Sequence, residues 1–310
     1  MIISVIQPIG WALRRTKMVL FQGFSIRKWF VLGFCAWLAT LADGRLNLMP
    51  PIQLVEDMPR EMADDLGFVI LVAIAVVAVV IAVALVLLWL SSRGWFMFLD
   101  GVVHNRGAVK EPWRVFRERG DSLFRFRVGL GAVGLVGLLV IGGACLAVAW
   151  PDIAAEEFRT GAVVAIVLGS VLLVPFGIAF ALVCAVLYDF VVPVMFLRNV
   201  PVDVAWDILR RELLPEHFRT FVLFYLMRTV LGLTIWIVRM VPVLLCCCCC
   251  FDSIPYISTV LLLPWHVFIR CYPLYVLEQF GTEWCPFLEG PVSQFDMAAP
   301  PPLPPPAAAP

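Results

Sequence analysis

The chain is 310 residues long, 62% hydrophobic and only 15% charged, with 23 basic against 23 acidic residues. Soluble domains carry about 45–50% apolar and about 25% charged residues, so a water-soluble fold of this length is excluded. A balanced charge likewise excludes a broadly basic nucleic-acid binder, which leaves membrane lipids and a protein partner as the expected partners.

Six apolar segments follow one another along the chain, near 29–42, 66–90, 128–150, 161–187, 221–250 and 254–277. They predict an all-α integral membrane protein with six transmembrane helices in a polytopic domain over 1–280. The first segment, Trp29–Ala42, is short for a crossing. The second, Leu66–Leu90, contains no charge and exceeds the roughly 20 apolar residues a crossing helix needs. In the third, Gly129, Gly131, Gly134, Gly137, Gly142 and Gly143 predict close helix packing. Pro242 and Pro264 fall inside the last two segments and predict kinks.

The segments between these spans alternate in charge. Residues 1–28 hold Arg14, Arg15, Lys17, Arg27 and Lys28 and no acid, whereas 43–65 hold six acids against Arg45 and Arg60. Residues 91–127 hold eight basic residues, and 151–160 are again acidic, with Asp152, Glu156 and Glu157 against Arg159. Arg198, Arg210, Arg211 and Arg219 return the basic character in 198–219. Basic residues mark cytoplasmic loops, so both termini are expected in the cytoplasm. A cleaved leader ending at Ala42 is the competing reading of the first segment, but its basic region would be unusually long.

A pattern recurs in the three basic segments. Trp11 precedes Arg15, Trp113 precedes Arg117 and Trp206 precedes Arg210, each by four residues. Residues four apart share a helix face, and Trp with Arg at headgroup depth suits an amphipathic helix lying in the interface. The pattern predicts a threefold repeat of interfacial helix plus helical hairpin.

No GxSxG, HExxH, Walker loop or CxxC is present, and His104, His217 and His266 are far apart without a carboxylate at helical spacing on the same span. No catalytic residue, cofactor or metal site is therefore expected, and the protein reads as no enzyme. Cys246 to Cys250 are consecutive, a poor spacing for bridging or metal binding, and read as small hydrophobes in a membrane helix. Residues 281–310, ending in APPPLPPPAAAP, predict a Pro/Ala-rich disordered cytoplasmic tail.

The informative polar residues border the last three spans: Asp189, Arg228, Arg239, Asp252 and Arg270. A charge at the centre of a membrane helix costs about 2.5–3.5 kcal/mol on insertion scales. Two arrangements would relieve that cost. One is an inner pair Asp189–Arg228 with Arg270 close by, together with an outer pair Arg239–Asp252. The other is snorkelling, in which each arginine reaches the headgroups unaided, and it carries the greater weight on sequence alone.

The stretches Thr16–Leu41 and Ser91–Arg127 resemble an uncharacterised family of bacterial multi-pass membrane proteins, known only as a domain of unknown function. The layout is distantly similar to the membrane domain attached to some glycerophosphodiester phosphodiesterases, without their soluble domain. The resemblance implies a bacterial inner-membrane location and supplies no activity or site residue. Two functions are then expected in order: a non-enzymatic protein that binds a partner or organises lipid, and a small transporter or channel built around the polar residues near the last three spans.

Overall fold

The structure, a computed structural model, describes residues 4–22, 24–41, 66–155, 160–246 and 255–287. The acidic segment 43–65, Glu156, Glu157, Arg159, Cys247 to Cys250, Asp252 and the proline-rich end lie outside the described residues. Among the described residues every regular element is helical.

Eleven α-helices are labelled in chain order: α1 (Gln7–Phe21), α2 (Ile26–Thr40), α3 (Leu66–Val103), α4 (Lys110–Val115), α5 (Arg117–Ala154), α6 (Thr160–Val186), α7 (Val192–Arg198), α8 (Val202–Ile208), α9 (Leu214–Cys246), α10 (Pro255–Leu261) and α11 (Leu263–Glu278). A π-turn at Leu187–Val191 joins α6 to α7, and another at Leu209–Leu213 joins α8 to α9. Four helical stretches are long and apolar enough to cross a membrane: Val69–Val103, Arg117–Ala154, Thr160–Arg198 and Val202–Val238.

The expected first and sixth spans take a different form. Helix α2 has 15 residues, about 22 Å at 1.5 Å per residue, against a hydrocarbon core of roughly 30 Å. The last segment breaks at Leu262 (φ −86°, ψ 12°) into helices of 7 and 16 residues. Pro264 sits in the first turn of α11, where its missing N–H costs nothing, so it starts a helix instead of kinking one. Pro242 lies within α9, whose non-helical residue is instead His217 (φ −128°, ψ 24°).

The long helices are two-part objects. Their most apolar windows are 0%, 6%, 11% and 11% buried in chain order. Their other ends converge on one packed core. Residues 91–103 of α3 are buried without exception, as are Asp189 to Met195 and Val267 to Glu278. A helix apolar and covered on all sides is a central element, and α11 fills that place. It packs against α1, α2 and the π-turn Leu187–Val191, while α5 pairs with α6 and α2 with both α3 and α10.

Helices α2 and α3 approach each other closely at two glycines. A Cβ on Gly94 would stand 2.7 Å from the Ala39 backbone nitrogen, and one on Gly101 would stand 2.5 Å from the Leu32 side chain. Of the glycines expected to mediate packing in the third span, Gly134 and Gly137 receive the rings of Phe180 and Phe176 from α6. Gly129, Gly131, Gly142 and Gly143 have nothing within 4 Å in the chain. Close packing in this span therefore rests on Gly134 and Gly137, and a glycine contact of backbone against backbone lies at Gly94.

Residues 281–287 belong to this core, although the sequence reading assigns them to the tail. Trp284 and Phe287 are buried, Phe287 lies 4.6 Å from the Tyr275 ring, and Arg15 sits over Phe287 at 4.7 Å.

Candidate functional site

The most concentrated chemistry is a set of buried charges where the long helices meet. Arg15, Arg93, Asp100, Arg127, Asp189, Arg270 and Glu278 are each 7% exposed or less. Buried charges persist only when paired, hydrogen-bonded or held against aromatic faces, and this core uses all three.

Asp189 and Arg228 meet, with Nε 3.3 Å from Oδ2. Asp189 lies on the π-turn Leu187–Val191, and such turns are frequent at functional positions because the extra residue re-aims the side chains. The next residue, Phe190, packs on Phe221, Phe224 and Tyr225 at 4.6–6.2 Å. Arg270, expected close by, reaches the same π-turn at Tyr188, the residue before Asp189. Its guanidinium lies 3.9 Å from the Trp95 ring and donates to the Tyr188 carbonyl at 2.6 Å. Trp95 in turn stacks on Tyr188 at 4.7 Å, and Arg127 approaches the other aromatic at 5.3 Å while donating to Ser91 and Ser92. Arg239 is helical, but its side chain, like Asp252, lies outside the described residues.

The three Trp/Arg pairs occupy three different settings. Trp11 is half-buried beside Tyr275 at 6.0 Å, and Arg15 turns inward to donate to the Val103 carbonyl at 2.7 Å. Trp113 and exposed Arg117 sit on separate helices, divided by the Phe116 turn. The cation held by Trp113 is Arg93 of α3, which lies 5.0 Å from it and 4.2 Å from Trp89 and pairs with Asp121 at 2.9 Å. Trp206 packs on Phe126 at 6.0 Å, and exposed Arg210 falls on the second π-turn.

One constellation escapes a sequence reading that ends the second span at Leu90. Helix α3 runs on to Val103, and this places Asp100 one turn before His104, with Oδ1 3.0 Å from Nδ1. Asp100 is 2% exposed and also accepts two hydrogen bonds from Arg106, at 3.0 and 3.1 Å. These bonds hold the Arg106 guanidinium above its ordinary pKa. The available signal was the spacing D-x-x-x-H once the helix is allowed past the apolar run. Elsewhere, His217 at the α9 kink stacks on Phe280 at 4.5 Å. Burial, with the Glu278 carboxylate beside it, pushes the Cys285 thiol up to about 11, so it is no ready nucleophile. Among the described residues no three His, Cys, Asp or Glu side chains gather as a metal site.

The chain belongs to the family of unknown function DUF7544, whose family model matches residues 3–251. That span takes in every charged residue of this core except Arg270 and Glu278. No curated protein and no solved structure matches the chain.

Proposed function

We propose that this member of DUF7544 is a multi-pass protein of the bacterial inner membrane, with both termini cytoplasmic, that organises lipid and catalyses no reaction. The observation that carries this reading is the division of each long helix. One end is locked into a core of paired and stacked charges, while the apolar remainder has few protein neighbours. Lipid tails are the natural cover for such surface. Basic segments precede the first, third and fifth spans, and they support a core that lies towards the cytoplasmic leaflet. Six crossings, with α2 and the α10–α11 pair as the short first and last, keep the alternation of basic and acidic segments intact.

A transporter is the second reading, favoured by the Asp189–Arg228 pair on a π-turn. The burial of Asp189 and its engagement by Arg228 count against a continuous polar path. Native mass spectrometry of the protein, gently extracted from its own membrane, separates the two. Retention of lipid in defined stoichiometry is expected. A lipid-free protein that retains a small polar solute would overturn the lipid-organising reading in favour of transport.

A further inference from the structure

Beside the buried core lies an open cleft of about 490 Å³ between the start of α5 and the linker that joins α7 to α8. Glu118, Arg119, Asp121, Ser122 and Arg125 line one side, and Asn199 to Pro201 line the other. We propose that this cleft binds the phosphodiester headgroup of an inner-leaflet lipid. The proposal rests on the lipid-organising reading above and gives it a site.

Four observations carry it. The first is available charge. Asp121 is already held by Arg93 at 2.9 Å and by the Trp89 indole at 3.1 Å, so its carboxylate is neutralised from behind. Arg119 lies over the Phe116 ring at 5.0 Å, and among the described residues neither it nor Arg125 is ion-paired. Two free guanidiniums against the one free carboxylate of Glu118 leave a single positive charge, which matches a singly charged phosphodiester. The second is a buried donor. Ser122 is 7% exposed, and its Oγ accepts from the Val202 N–H at 3.2 Å, so its hydroxyl proton remains available to a ligand in the cleft it lines.

The third observation is spacing. Arg119, Ser122 and Arg125 recur every three residues along one side of α5, so donors follow one another down the wall. Guanidinium forks suit phosphate oxygens better than ammonium groups do. The fourth is depth. Arg125 precedes the apolar run at Val128 by three residues, about 4–5 Å along the helix. That is the level at which lipid phosphates lie when the run begins at the hydrocarbon edge.

The test is native mass spectrometry of the full chain in detergent, titrated with phosphatidylglycerol, with a phosphate-free glycosyl diacylglycerol, or with inorganic phosphate. Phosphatidylglycerol is expected to bind at least tenfold more tightly than the glycolipid, with inorganic phosphate competing only weakly. Arg119→Ala/Arg125→Ala should remove that preference, and Arg119→Lys/Arg125→Lys should retain part of it. Unchanged tryptophan emission would confirm that the core has folded. Equal lipid preference in the wild type and the alanine variant would overturn the cleft assignment while leaving the lipid-organising reading in place. Saturation by inorganic phosphate with no gain from acyl chains would assign the cleft to a soluble phosphate compound and overturn the lipid source. Loss of all lipid from the wild type would overturn both.

Discussion

At the scale of single residues, the arginines of this protein are distinguished by what lies against them. Arg270 and Arg93 lie on indole faces, Arg127 lies on hydroxyls, and Arg228 lies beside a carboxylate. Arg228 has the Asp189 carboxylate beside it among apolar neighbours. Removing Asp189 strands that charge, whereas removing both members leaves an apolar contact. Asp189→Ala is therefore expected to destabilise by about 2–4 kcal/mol, as for a partly buried pair with one partner deleted. Asp189→Leu/Arg228→Met should recover more than half of that loss. A thermal melt in detergent for the two singles and the double measures the coupling. Equal and additive losses would mean that Arg228 snorkels, the arrangement that sequence alone weighted more heavily. The residues of this pair were legible because charges in apolar runs stand out. Their pairing was one of two arrangements the sequence allowed, and it carried the lesser weight because the π-turn that holds Asp189 has no signature in the sequence.

At the scale of helices, what could be read from the sequence was the apolar runs, and what could not was where each helix stops. Leu66–Leu90 announces itself by lacking charge, but the thirteen residues that follow it carry the packing, and their Ser, Arg and Asp resemble a loop. Arg93 and Asp100 continue the helix because partners from α5 and the following turn receive them. Glycines misled in the same way. Counting them pointed to the third span, where Gly134 and Gly137 do receive rings of α6, but it passed over Gly94, where backbone meets backbone. Adding a methyl group to a helical glycine ordinarily favours the helix by about 0.5–1 kcal/mol. At Gly94 the methyl would meet the Ala39 nitrogen at 2.7 Å and the Leu38 carbonyl carbon at 2.8 Å, atoms that cannot rotate away. Gly94→Ala should therefore destabilise by about 1–3 kcal/mol, the usual cost of overpacking. Gly129→Ala, with nothing within 4 Å, should be neutral or slightly stabilising. Chemical denaturation of the two variants side by side gives the comparison, and a Gly94→Ala protein as stable as the wild type would mean that α2 moves freely against α3.

At the scale of the whole molecule, a membrane bundle whose apolar windows are at most 11% buried is unusual in where it places its stability. Lipid tails are as apolar as leucine, so no hydrophobic gain draws those windows together. The convergence of helix ends is instead held by close packing and by charges that would be costly to expose separately. Two environments should result, and they are separable by experiment. A carbene-generating lipid photolabel, activated in vesicles and mapped by peptide mass spectrometry, should mark 70–86, 133–146, 163–182 and 222–238, where large apolar side chains stand open. It should leave 91–103, Asp189 to Met195 and Val267 to Glu278 unmarked, although these segments also contain abundant Phe, Leu and Val. Labelling that followed hydrophobicity alone would mark both sets, whereas a photolabel responds to access and should separate them. Labelling of Val267 to Glu278 at the level of the open windows would mean that α11 faces lipid, and the core would then have to be redrawn as the membrane-exposed side of the molecule.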